Sequence, residues 1–310
     1  MNKKLYLAPM DDVTDRAFRQ LCKENGADFT YTEFVSIESL IRNVDKSLNK
    51  ISFSNIERPI GIQIFGNNID SFLGSIKIIE KYNPDEININ CGCPVKKITN
   101  KGCGSALLKD IKGLITILKE LTKITNVPIT IKTRLGWDEN SIIIEDFVLR
   151  LQEIGIKKVI IHARTRSQMY SGNVNLEYLK KIKSNKDIKI EIIGNGDVVD
   201  IDSYNRMLNT GVDGVMIGRG SIGNPWIFND LKNNIIKQRS INEIINTIKR
   251  HIDLLLQFKD EKQSILSLRK HFSKYFRNIK NFKEYKIKLI TENKMNNIIN
   301  ILNEINEKYG

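Results

Sequence analysis

No run of about 18 apolar residues occurs anywhere in the 310-residue chain, so no segment is long and oily enough for a membrane-crossing helix. The N-terminal Met1-Asn2-Lys3-Lys4 leads straight into a strand-like stretch, without the apolar core and cleavage site of a secretory leader. The expectation is a soluble cytoplasmic protein without a membrane partner. Cysteine is scarce: Cys22, Cys91, Cys93 and Cys103 are the only 4, and they do not describe a disulfide framework. The C-x-C-x9-C spacing of the last three lacks a paired C-x2-C and a fourth ligand, so no metal is expected. Nor is there a glycine fingerprint of a Rossmann nicotinamide domain. No internal repeat or low-complexity linker stands out.

What is present is alternation. Apolar, β-branched runs recur at Lys4–Pro9, Asp28–Glu33, Ile60–Phe65, Glu86–Asn90, Pro128–Thr133, Lys157–His162, Ile188–Gly194 and Gly211–Ile217. Helical spacing fills most of the gaps: Thr14–Asn25, Ile69–Tyr82, Ile111–Thr122, Ser141–Ile154 and Asp200–Leu208. Eight strands alternating with helices predict an α/β fold, a (β/α)8 TIM barrel. Beyond Ser240 the β-runs stop, and Ile241–Phe258, Ser264–Ile279 and Lys294–Lys308 read as helices. The expected division is a barrel over residues 1–235 and a small all-helical C-terminal domain over 236–310.

The formal net charge is +13, which favours a polyanionic partner. It concentrates in the tail: residues 235–310 hold 16 Lys/Arg against 8 Asp/Glu, while residues 1–234 hold 33 against 28. Barrels of this kind carry their chemistry at the C-terminal ends of the strands. Those ends hold Pro9-Met10, Glu33, Gln63, Asn90 with Cys93, Lys132, His162 with Arg164, Asn195-Gly196-Asp197, and Gly218-Arg219-Gly220. Gln63 and Lys132 interrupt apolar runs, where an unpartnered amide or ammonium costs several kcal/mol, so they must face a ligand or each other; for Lys132 the structural alternative is an ion pair with Glu33 or Asp197. Cys93, held by Pro94 just past a strand, is the best candidate for a catalytic group. The glycine turns after the last two strands suit a phosphate.

These residues resemble a known family. Ala8-Pro9-Met10 with Val13-Thr14-Asp15, Gln63-Ile64-Phe65-Gly66, Asn90 to Lys97 with Gly104-Ser105-Ala106, and Lys132-Thr133-Arg134-Leu135-Gly136-Trp137 look like the FMN-dependent tRNA-dihydrouridine synthases. His162-Ala163-Arg164-Thr165-Arg166, Gly194 to Asp197, and Val215 to Gly220 continue the match, and Leu268-Arg269-Lys270-His271 resembles the family's tail motif. Asp11-Asp12 departs from the small residues expected after Pro-Met, and Cys91 and Cys103 are extra thiols near Cys93.

The resemblance implies reduction of the C5–C6 double bond of tRNA uridines, with FMN as cofactor and NADPH (or NADH) as reductant. It implies that Cys93 supplies the proton, that Pro9, Met10, Gln63, Lys132 and His162 contact the flavin, and that Asn195, Gly196, Asp197, Gly218 and Arg219 hold its phosphate end. Asn90 and Arg166 are assigned to the uracil. Residues Arg269–Lys288 hold eight Lys/Arg against one Glu, which assigns Arg269, Lys270, Lys274 and Arg277 to the tRNA backbone. No stable protein partner is expected. A flavin-barrel reductase of free pyrimidines would not need that basic tail.

Overall fold

A computed structural model of the chain describes residues 3–235, 237–277 and 279–310. Met1 and Asn2, Ile236 at the expected domain boundary, and Asn278 within the expected helix Ser264–Ile279 lie outside the described residues. The strands are β1 (Lys4–Leu7), β2 (Thr30–Tyr31), β3 (Val35–Ser36), β4 (Ile60–Phe65), β5 (Glu86–Cys91), β6 (Ile129–Arg134), β7 (Lys158–His162), β8 (Glu191–Asn195) and β9 (Gly214–Ile217). All pairings between them are parallel, in the order β1-β9-β8-β7-β6-β5-β4-β2. The ring closes where Tyr6 bridges Phe29 and Leu7 N–H donates to the Phe29 carbonyl at 2.8 Å. The TIM-like barrel and helical C-terminal region match the expectation.

The second strand is the exception. Tyr31 pairs with Gly61 and Val35 with Ile64, so one side spends four steps where the other spends three. That extra residue is the signature of a bulge: the expected Asp28–Glu33 strand is cut down to β2, and pairing with β4 resumes beyond it in β3. Thr32 patches the gap: its N–H donates to the Gly61 carbonyl and its Oγ1 accepts from Gln63 N–H at 3.1 Å.

Parallel strands buried on both faces need two apolar layers. Outside, the barrel helices supply one large core. Inside, Tyr6, Phe29, Tyr31, Ile160, Ile193 and Met216 form a plug. Below it Glu86 accepts from Tyr31 Oη at 2.8 Å and pairs with Lys158, so this buried charge is compensated. A filled interior leaves the C-terminal mouth as the place for a ligand.

Four helices, Ile241–Leu256, Glu261–Tyr275, Lys283–Thr291 and Met295–Tyr309, make up the tail. The aromatics of its basic stretch, Phe272, Tyr275, Phe276, Phe282 and Tyr285, are buried and form its core. The tail docks on the helix Arg16–Glu24, where Phe18 packs 4.4 Å from the His271 ring and 5.6 Å from that of His251. Asp15 caps that helix by accepting from Phe18 N–H at 2.9 Å and also pairs with Lys259 of the tail. His271 Nδ1 accepts from Gly223 N–H at 3.2 Å, tying the tail to the loop after β9.

Candidate active site

A cavity of about 560 Å³ opens at the C-terminal ends of the strands. Its wall brings together Pro9, Met10, Gln63, Asn90, Cys93, Lys132, His162, Asn195, Gly196, Asp197, Gly218 and Arg219, and Lys274 and Arg277 reach it from the tail. Arg166, Arg269 and Lys270 are not on that wall. Arg166 lies over the Trp137 ring, its Cζ 4.4 Å from the centroid. Arg269 donates to the Glu292 carbonyl at 2.8 Å, and Lys270 to the Asp12 carbonyl at 2.9 Å.

The floor is an amide ladder. Gln63 Nε2 donates to Asn88 Oδ1 at 2.7 Å, and Asn90 Nδ2 donates to Gln63 Oε1 at 3.0 Å. The partners that the buried Gln63 requires are therefore these two asparagines. Asn90 Oδ1 in turn accepts from Gly92 N–H at 3.1 Å and Cys93 N–H at 2.9 Å, which fixes the thiol-bearing turn. Ser105 N–H and Oγ both donate to the Cys93 carbonyl, at 3.1 and 2.9 Å. Gly104 makes that approach possible: a Cβ there would stand 2.9 Å from the same carbonyl oxygen, and its φ is +62°.

Burial pushes the Cys93 thiol above its usual range, against the Val95 N–H and the nearby charges of Arg134 and Lys132. It is neutral at pH 7 and carries a proton. Lys132 Nζ donates to Asn195 Oδ1 at 3.1 Å, and no carboxylate pairs with it among the described residues. The alternative of an ion pair with Glu33 or Asp197 is not what forms: Glu33 pairs with Lys50 and Asp197 with arginines. Burial, reinforced by Arg134, pulls the Lys132 ammonium down to about 8. Burial and the same cations hold the His162 imidazole well below its ordinary range. It is neutral, and its Nδ1 is buried without a partner among the described residues.

Further contacts that the sequence did not isolate hold the wall in place. Arg134 donates to the carbonyls of Gly92 at 2.8 Å, Thr165 at 2.7 Å and Met169 at 2.8 Å, locking the loops after β5 and β7 together. Arg164 pairs with Asp197, which also accepts from Arg219 Nη2 at 2.7 Å. Tyr170 lies at the lip with Arg219 Cζ 4.8 Å from its ring centroid. Gly196, with φ +134°, leaves room for Val174, whose Cγ1 a Cβ would meet at 2.6 Å. Among the described residues the cavity is lined by five cations, Lys132, Arg134, Arg219, Lys274 and Arg277, and by one carboxylate, Asp197. The arrangement suits an anionic, multiply hydrogen-bonding ligand beside a protonated thiol.

The family model described as dihydrouridine synthase matches residues 6–308. The chain belongs to the dihydrouridine synthase family. A protein named tRNA-dihydrouridine synthase B from Pasteurella multocida (strain Pm70) is 34% identical over 286 residues, covering 90% of this chain and 86% of that one. Another of the same name, from Xanthomonas axonopodis pv. citri, is 32% identical over 281 residues, covering 89% and 84%. A solved structure of FabK from Thermotoga maritima aligns with TM-score 0.46 and 12% identity over 72% of this chain and 60% of that one. For this dihydrouridine synthase family member the barrel rests on the strand ladder itself. The family match spans barrel and tail alike. Among the described residues no helix is long and apolar enough to cross a membrane.

Proposed function

We propose that this protein is a tRNA-dihydrouridine synthase that reduces the C5–C6 double bond of uridines in tRNA, with FMN in the barrel cavity and NADPH or NADH as reductant. The observation that carries it is the convergence in one cavity of the protonated Cys93 thiol with His162 Nδ1, which has no partner among the described residues, and Lys132, which has no carboxylate among them. The relatives' printed names support the choice of substrate.

The residues fit a flavin mononucleotide. Five cations against one carboxylate leave room for a phosphomonoester of charge near −2, and the glycine turns at Gly196 and Gly218 give close access to backbone. Asn195, Gly196, Asp197, Gly218 and Arg219 would hold its phosphate end, and Pro9, Met10, Gln63, Lys132 and His162 its ring and ribityl chain. When bound, it supplies the hydride.

The chain's own part is to hold and deliver a proton. Cys93 keeps one on Sγ at neutral pH, as a general acid must. Asn90 pins the turn that aims Sγ and is proposed to meet the uracil edge. A uridine in folded RNA must leave its stack to reach such a cavity, and the tail, residues 236–310, is the proposed tRNA-binding domain. Lys274 and Arg277 carry its charge to the cavity wall; Arg269 and Lys270 stand further back, with Lys270 clasping Asp12. Arg166 is assigned to the substrate from the rim. The test is direct: the purified chain should carry FMN and form dihydrouridine in unmodified tRNA when NADPH or NADH is added. A colourless protein, or one that leaves the uridines intact, would overturn the proposal.

A further inference from the structure

The loop that carries the catalytic thiol also carries a cluster of free charge. Lys96, Lys97, Lys101 and Lys109 follow Cys93 closely, all four are exposed, and no carboxylate pairs with any of them among the described residues. This contrasts with the tail docking surface, where Lys259, Lys270 and Arg250 are committed to Asp15, Asp12 and Glu24. The acids adjoining the cluster in sequence are engaged: Asp110 Oδ1 accepts from Gly113 N–H at 3.0 Å, and Asp138 Oδ1 from Ser141 Oγ at 2.7 Å. Glu139, two residues after Trp137, is exposed.

An aromatic joins the cluster to the next loop. Lys109 Nζ lies 3.7 Å from the Trp137 ring centroid, and Arg166 Cζ lies 4.4 Å from it. Such contacts hold cations in place without neutralising them. Arg166 Nε is in addition a buried donor with no acceptor among the described residues.

Topology sets this rim apart from the tail. The tail grips the loops after β1 and β9, through Lys270 on Asp12 and Arg277 Nη2 on the Ile222 carbonyl at 3.3 Å. The lysines follow β5, Trp137 follows β6 and Arg166 follows β7, on the opposite arc of the ring. The reaction cavity lies between the two cationic edges.

We propose that the rim formed by Lys97, Lys101, Lys109, Trp137 and Arg166 is a second phosphodiester-binding surface, which holds the RNA backbone across the barrel mouth from the tail. This rests on the tRNA reading above. Each phosphate neutralised there releases counterions, so the rim contributes its own share of the salt dependence.

The test uses the full flavin-loaded chain with Lys97→Ala, Lys101→Ala and Lys109→Ala combined. Its affinity for unmodified tRNA, measured over a series of KCl concentrations, should fall roughly ten- to a hundredfold near 0.1 M salt, with a log–log slope shallower by about 2 to 3. Flavin content, melting temperature and flavin reduction by NADPH should match wild type, and the matching triple Lys→Arg variant should bind as wild type does. Unchanged affinity and slope in the folded Ala variant would overturn the rim, as would an equal loss in the Arg variant. Should the triple Ala variant fail to fold, the exposed single reversal Lys101→Glu carries the same expectation of weaker, less salt-sensitive binding. A wild-type chain that binds no tRNA would sink the functional reading and the rim together; binding by wild type with an indifferent variant would sink the rim alone.

Discussion

Lys132 gives the most quantitative handle on the cavity. With its ammonium pulled down to about 8 by burial and by Arg134, it is about nine-tenths charged at pH 7 and about one-tenth charged at pH 9. A ligand that needs the charged form should bind with constant affinity well below pH 8 and lose affinity as pH rises through that value. By pH 9 the expected loss is about tenfold if neutral Lys132 contributes nothing. Neighbouring groups do not share the step near pH 8: burial pushes the Cys93 thiol up, and Arg134, though burial pulls it down to about 10, stays charged through that step. The assay is titration of the flavin-free chain with FMN by fluorescence quenching between about pH 6.5 and 9.5. Lys132→Met should bind FMN more weakly and without the step near pH 8. A flat wild-type profile, or the same step in Lys132→Met, would refute the reasoning.

Arg219→Ala should lose FMN yet stay folded, because the side chain is 52% exposed and its Asp197 pair is of the kind worth about 0 to 1 kcal/mol; full flavin occupancy in that variant would sink the phosphate assignment. The fold should weaken in mild acid. His162, His251 and His271 are all buried and held neutral, His251 from 6.5 down to about 4. A depressed histidine makes the unfolded chain the better proton binder below pH 6.5, so stability falls as pH drops, by about 2 kcal/mol at pH 5 for His251 alone. Carboxylates held low, such as Asp15 and Glu243, add their loss only in stronger acid. Equal melting temperatures at pH 7 and pH 5 would contradict this.

The barrel was legible because parallel strands covered on both faces leave continuous apolar runs, and a polar residue at the end of such a run stands out. Gln63, Lys132 and His162 were visible for that reason. The helices Ile37–Ile41, Asp45–Ile51, Glu177–Ser184 and Ile227–Asn233 escaped because they span at most about two turns, too short for a helical period to register. In the tail, Lys283–Thr291 is dense in lysine and buries only Tyr285 and Leu289, which hid it. The bulge that splits the second strand depends on register against β4, which no local pattern encodes. Arg134 and Arg164 were visible in the motifs, but the hold of Arg134 on the Gly92 carbonyl and the pair of Arg164 with Asp197 join residues far apart in the chain. Arg166 was assigned to the uracil by motif alone, and its packing over the Trp137 ring is a long-range contact that the motif does not encode.

The central claim is that Cys93 delivers the proton while a flavin in this cavity delivers the hydride to a tRNA uridine. Anaerobic stopped-flow mixing of the holoenzyme, its flavin already reduced, with tRNA lacking dihydrouridine follows that event directly. Wild type should be reoxidised with formation of dihydrouridine. Cys93→Ala should bind FMN and accept electrons normally but be reoxidised by tRNA about 10² to 10⁴ times more slowly, with Cys91→Ala and Cys103→Ala close to wild type. Failure of the wild-type flavin to react with tRNA would contradict the account, and wild-type rates in Cys93→Ala, or a deeper loss in Cys91→Ala, would contradict the choice of cysteine.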